Sequence, residues 1–298
     1  MTNISPIEPA LNEVAVYMED ALNELLPEPI GPQARVIEAM RYASLGGGKR
    51  IRAFLVLQSG RQFGVDRRAL ARVAAAVECV HAYSLVHDDL PAMDNDDMRR
   101  GKPATHRKFD EATAILAGNA LLTYAFALLS AQETHPDPHV RSELVLRLST
   151  ASGFAGMVGG QMIDVGDKDA QADIGQITRM QRLKTGALIT FACEAGAIMG
   201  RASLQLKHAL TNFAHDLGLA YQIADDLLDH DGDPKQMGKA ARKDEKAGKA
   251  TFVTILGAER ARAQAEILAN QAAAHLDVFD EKADLLRGLV SFVVHRRA

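Results

Sequence analysis

The sequence predicts an all-α protein. Apolar residues recur at helical spacing through most of the chain, alternating strand patterns bounded by turns are scarce, and the two central helical stretches are apolar on most faces. A helix that is apolar all round belongs inside a larger bundle. In order, "ALNEVAVYMEDALNELL" sets Leu11, Val14, Met18, Leu22 and Leu25 on one stripe. "DRRALARVAAAVECVHAYSLVHDD" is alanine-rich and runs unbroken for more than twenty residues. "DIGQITRMQRLKTGALITFACEAGAIMG" and "ASLQLKHALTNFAHDLGLAYQIADDLLD" read the same way. Breaks are expected at Gly46-Gly47-Gly48, Pro91, Pro136, Pro138 and Gly232 to Pro234. No linker divides the chain and no solenoid repeat recurs, so residues 1–298 are expected to form one domain of about ten helices.

Composition narrows the function classes. Hydrophobic residues make up 47%, ample for a core, and the formal net charge is −4 without a long basic run. That argues against a nucleic-acid partner. Cys79 and Cys193 both sit in apolar helical surroundings and are expected as reduced, buried thiols of a cytoplasmic protein. The opening segment has neither basic leader nor apolar core, so it is not read as a signal peptide. No uninterrupted apolar run of membrane-spanning length stands out, and no membrane insertion is expected.

Two acidic clusters carry the chemistry. "HDDLPAMDNDDMRRGKP" packs five aspartates into ten residues, and Pro91 is expected to end the helix near Leu90. Asp88 and Asp89 then fall in the last turn, and Asp94 returns on the following segment. "YQIADDLLD" places Asp225 and Asp229 on one helix face with Asp226 beside them. Both clusters lie at helix C-termini, where the macrodipole disfavours negative charge, so a strong cation is needed. The chain has no Cys/His set with zinc spacing, and neither cluster fits an EF-hand loop. Aspartates alone suit Mg²⁺, which is commonly shared with substrate phosphates. A single such cluster is ordinarily a solvated acidic loop; two, each ending an apolar helix, are not.

Positive partners for phosphate follow. "LGGGKRIRAFLV" puts Lys49 and Arg52 at the start of a helix whose free N–H groups favour an anion. The spacing is not that of a Walker loop. Arg99 and Arg100 follow the first aspartates directly, and Lys184-Thr185-Gly186 interrupts an apolar helix, where a lysine must snorkel or meet an anion.

With "GGGKRIR", "GGQMID", "RLKTGAL" and "GKATF" in the same order, the whole chain resembles the short-chain trans-isoprenyl diphosphate synthases, in their bacterial farnesyl-type branch. One departure is Ala53, where that family usually carries proline. The resemblance implies a helical bundle around a deep central cavity, usually a homodimer, with three Mg²⁺ ions. It implies that Asp88, Asp89, Asp94, Asp225 and Asp229 hold metal, with Asp226 counted in the catalytic set. Arg99, Lys184 and Lys239 would grip the allylic diphosphate, with Thr185 and Gln222 nearby. Lys49, Arg52, His81 and Arg100 would bind isopentenyl diphosphate. The implied reaction condenses isopentenyl diphosphate with dimethylallyl and geranyl diphosphates through an allylic carbocation, which needs a dry cavity. A helix break near Gly186 would expose a carbonyl dipole to that cation. A class I terpene cyclase would lack the isopentenyl site and the second aspartate motif. A non-catalytic regulatory subunit would have lost one of the two motifs. Geranyl and geranylgeranyl diphosphate synthases remain as alternatives within the family.

Product length is read on the helix ending at Asp88. Tyr83 and Ser84 lie five and four residues earlier, roughly 6 to 8 Å below the metal end at about 1.5 Å per residue. Ser84 is small enough to let a chain pass, and Tyr83 is bulky enough to form a floor. An aromatic residue there, together with two extra residues in the first motif (Pro91-Ala92 or their neighbours), goes, in the family resembled, with the fifteen-carbon product (2E,6E)-farnesyl diphosphate.

Overall fold

The computed structural model describes residues 7–166, 173–231 and 250–295. In chain order these form α1 (Ile7–Leu25), α2 (Ala34–Ser44), α3 (Ile51–Arg61) and α4 (Arg67–Asp88). A minimal hairpin of β1 (Met98–Arg99) and β2 (Lys102–Pro103) follows, pairing Arg99 with Lys102. Next come α5 (Thr105–Lys108), α6 (Glu111–Ser130), α7 (Pro138–Ser152), α8 (Met157–Gly166) and α9 (Ile174–Gln181). A π-helical turn (Arg182–Gly186) leads into α10 (Ala187–Met199), and α11 (Leu204–Asp231) is the longest helix at 28 residues. The rest is α12 (Phe252–Leu256), α13 (Ala258–His275), a 3₁₀ turn (Glu281–Ala283) and α14 (Asp284–His295). The all-α expectation holds, with more helices than the pattern separates, because short turns such as α5 and α12 carry too few residues to show a period.

The stripe read on α1 is the one that docks: Leu11, Val14, Met18 and Leu22 are buried. Helix α4 is the axis of the bundle. Asp66 caps its start by accepting the Ala69 N–H at 2.9 Å. Val73 through Val77, Cys79 and Val80 have no exposed surface. Its alanines let α1, α2, α3, α6 and α10 approach closely. Both cysteines are free and buried, and burial pushes the Cys79 thiol up to about 12. By length and composition alone, α4 and α6 could each cross a membrane, which corrects the reading that no such stretch exists. Charges in α4, and Thr113, Asn119 and Thr123 in α6, hide their high mean hydropathy from a search for unbroken runs. Helix α4, however, is mostly enclosed by other helices.

The main apolar cluster draws residues from Leu11 to Val293. A smaller one joins Ile223 and Leu227 of α11 to Phe252, Ala261 and Leu268. That second cluster anchors one face of α11 and leaves Asp225 and Asp229 on another. Where α3 crosses α10 the backbones nearly touch. A Cβ at Gly196 would lie 2.2 Å from the Gly60 nitrogen and 2.3 Å from Ser59 Oγ. Gly196→Ala is therefore expected to destabilise the protein by about 1–3 kcal/mol, because two packed backbones must separate. An unchanged denaturant midpoint would contradict this crossing.

Candidate active site

Helix α4 ends where proline was expected to stop it, and the chain doubles back. The Asp94 N–H donates to the Asp88 carbonyl at 2.8 Å, and Asn95 takes a left-handed conformation (φ 52°) to make the turn. Asp94 is thereby brought near Asp88. Burial pushes the Asp88 carboxyl up to about 6; Lys184 opposes the shift and Asp94 adds to it. One Asp88 oxygen accepts from Gln161 Nε2 at 2.9 Å. Asp89 turns the other way. It is 2% exposed, and Arg99 Nε donates to its two oxygens at 3.0 and 3.2 Å. The sequence grouped Asp89 with the metal aspartates; in the fold its carboxylate lies beneath Arg99, because adjacent residues at a helix end point about 100° apart.

The second cluster divides in the same way. Asp225 and Asp229 are half-buried on one face of α11. Asp226, read as part of the catalytic set, is 6% exposed. Its oxygens accept from Gln222 Nε2 at 3.1 Å and from the Phe252 N–H at 3.0 Å, which ties the start of α12 to α11. Thr185 Oγ1 sits 3.4 Å from Gln222 Oε1, so the π-helical turn lies against this cluster. Among the described residues no three acidic, histidine or cysteine groups form a metal cage by themselves. The donor set that remains, hard carboxylates of which Asp88 is pushed up by burial, suits an ion completed by phosphate oxygens.

The helix break expected near Gly186 is a π-helical turn, a distortion frequent at functional sites. Helix α8 packs directly against it. A Cβ at Gly160 would lie 2.2 Å from the Lys184 nitrogen, so only glycine fits. From the same helix, Gln161 reaches Asp88, and Asp164 pairs with Lys184 Nζ at 2.6 Å. Sequence reasoning assigned no role to Gln161 or Asp164, although "GGQMID" was singled out; a glycine pair followed by two polar residues one turn apart was the available signal. A cavity of about 280 Å³ is lined by Arg182, Leu183, Gly186 and Ala187 of this region, together with Thr190 and His215. Neither Lys184 nor Thr185 lines it.

The basic residues gather beside the first cluster. Gly46, Gly47 and Gly48 all have positive φ, and Arg100 lies across them, its Nη1 donating to the Gly47 carbonyl at 2.9 Å. Helix α3 begins at Ile51, so Lys49 precedes the helix rather than opening it. Arg52 has a buried Nε with no hydrogen-bond partner. Burial, then Arg52, Arg100, Arg50 and Arg99, hold His81 well below the usual imidazole range, so it is neutral at pH 7. Burial and the neighbouring arginines also lower Arg100. Mutual repulsion of this kind marks a place that favours an anion. Lys49 lies over the Phe292 ring at 5.8 Å. Tyr83 packs edge-on against His87, with ring centroids 5.0 Å apart, and Ser84 Oγ donates to the His81 carbonyl. Lys239 lies outside the described residues.

Residues 33–286 match the family described as polyprenyl synthetase. A farnesyl diphosphate synthase of Escherichia coli K12 is 44% identical over 269 residues, covering 88% of this chain and 89% of that protein. One from Geobacillus stearothermophilus is 40% identical, covering 97% and 98%. A crystal structure described as an FPP/GFPP synthase from Zymomonas mobilis, in apo form, matches with a TM-score of 0.88 and 49% identity, over 97% of this chain and 98% of that one. The chain belongs to the polyprenyl synthetase family.

Asp88 generates a stability prediction. Its folded pKa of about 6 lies above the usual 3.8, so the fold favours the protonated form. The stability this favours is present at low pH and is lost as pH rises through about 6. In metal-free protein, Asp88→Asn should therefore melt higher than wild type at pH 8 and gain nothing at pH 4. Equal melting temperatures at pH 8 would refute the burial of this charge.

Proposed function

We propose that this protein is a Mg²⁺-dependent prenyltransferase that condenses isopentenyl diphosphate with dimethylallyl and then geranyl diphosphate to give (2E,6E)-farnesyl diphosphate. The observation that carries this reading is the pairing of two aspartate-bearing helix ends with a separate cluster of Arg52, His81 and Arg100. One region suits a diphosphate through metal, the other a diphosphate through cations alone. The relatives named farnesyl diphosphate synthase support the product class.

Asp88, Asp94, Asp225 and Asp229 are the proposed metal carboxylates, and three ions are the proposed complement. Bound there, Mg²⁺ would supply electrophilic stabilisation of the departing diphosphate. Lys184 is the proposed grip on the allylic diphosphate, released from Asp164 as the substrate anion competes for it. Arg99, held by Asp89, and Lys239 complete that grip. Lys49, Arg52, His81 and Arg100 take the isopentenyl diphosphate; neutral His81 donates a hydrogen bond rather than a charge. Loss of the diphosphate leaves an allylic cation, towards which the π-helical turn and Gln222 turn carbonyl dipoles. The isopentenyl double bond attacks, a carbon–carbon bond forms, and one proton leaves to the released diphosphate. Tyr83 and Ser84 set the depth of the pocket. The 1–298 chain acts as one domain, supported by an apolar cluster shared from α1 to α14. It acts as a cytoplasmic homodimer, in which a second copy covers exposed Ile115 and Leu116 on α6.

Purified protein given both five-carbon diphosphates and Mg²⁺ should yield a fifteen-carbon product by chromatography; release of no prenyl product would refute the reading. Asp225→Ala should lower kcat by about a thousandfold or more, since a ligand lost at the reacting diphosphate acts on the transition state. Tyr83→Ala should shift the product towards twenty carbons. An unchanged distribution would place the floor elsewhere.

A further inference from the structure

Arg50 stands between Lys49 and Arg52, yet it alone of the three is buried as a whole residue. It is 5% exposed. Its backbone is left-handed (φ 48°, ψ 36°) at the N-cap of α3, a conformation disfavoured for any residue with a Cβ. The side chain holds it there. Nη1 donates to Glu78 Oε2 at 2.9 Å, and Nη2 donates to Glu19 Oε2 at 3.0 Å and to the Ser44 carbonyl at 2.6 Å.

Glu78 completes the arrangement from α4. It is 3% exposed, and its other oxygen accepts the Ala53 N–H at 3.2 Å. Helix α3 has no side-chain cap of its own, so this remote carboxylate holds both the N-cap residue and a first-turn N–H. The direction of the chain between Lys49 and Arg52 is set by the Arg50 dihedrals. If Arg50 relaxed to an extended conformation, Lys49 would leave its place relative to Arg52. Glu78 also supports the charge of Arg100, against which Arg50 and Arg52 act. It lies one turn before His81 on α4. A single buried carboxylate thus orders a group of cations that would otherwise repel one another before any ligand arrives.

We propose that Arg50 and Glu78 are a buried positioning pair for the isopentenyl diphosphate site. They do not touch substrate and act through Lys49, Arg52, His81 and Arg100. The role rests on the proposed function.

Binding of isopentenyl diphosphate to the full-length, metal-free protein, by calorimetry, tests it alongside steady-state kinetics. Glu78→Gln should weaken that binding and raise the isopentenyl KM by about tenfold or more, with the dimethylallyl KM held within about twofold. It should also lower the melting temperature, since the buried guanidinium loses its buried counter-charge and keeps only the more exposed Glu19. The double variant Arg50→Met/Glu78→Gln removes that under-compensated charge, so its melting temperature should recover while isopentenyl binding stays weak. It also carries the test if Glu78→Gln does not fold. Recovery of binding in step with melting temperature would reduce the pair to a structural role and overturn the proposal. Wild-type affinity in folded Glu78→Gln would overturn it alone. Wild-type protein that binds no isopentenyl diphosphate would overturn the proposed function and this role together.

Discussion

The structure depends on burying like charges next to one another at the ends of apolar helices. Asp88 and Asp89 close α4, and Asp225, Asp226 and Asp229 crowd the end of α11. The helix dipoles and the low local polarity both act against them. Arginines gather a few residues away under the same repulsion. A bundle with these demands folds only if much of that charge is neutralised from within.

Neutralisation is selective. Asp89 is taken by Arg99, Asp226 by Gln222 and the Phe252 N–H, and Arg50 by Glu78. The Asp226–Phe252 and Arg50–Glu78 contacts are buried and join different elements, and the part-buried Arg99–Asp89 pair ties the hairpin to α4, so they hold the frame. Asp88 and Arg52 are left short of partners, one pushed towards protonation and the other with an orphaned nitrogen. In each motif, the residue turned inward builds the wall, and its neighbour is the one proposed to meet ligand. Lys184 falls between the two kinds: its partner Asp164 is a carboxylate that a diphosphate can displace.

Much of this was legible in the sequence. The α1 stripe, the buried α4, the stop before Pro91 and the break at Gly186 follow from local rules that the tertiary structure did not override. The division within each aspartate pair was not legible, because adjacent residues differ only by rotation, and their fates are decided by Arg99 and Phe252, distant in sequence. Arg50 was hidden for a related reason. Between two cations it reads as a third, and only the carboxylate reaching across from α4 shows it to be internal. Gln161 and Asp164 lay in a quoted motif, but their targets on α4 and the π-helical turn could not be inferred from spacing.

The uphill ionisation of Asp88 also bears on how long each molecule survives. Without counter-ions, the folded protein carries charge it disfavours, so opening is easier and proteases find more of it. Ligands that neutralise this charge prolong the lifetime of the molecules that bind them. Resistance to proteolysis is thus tied to occupancy: the empty fold is the one more readily cut.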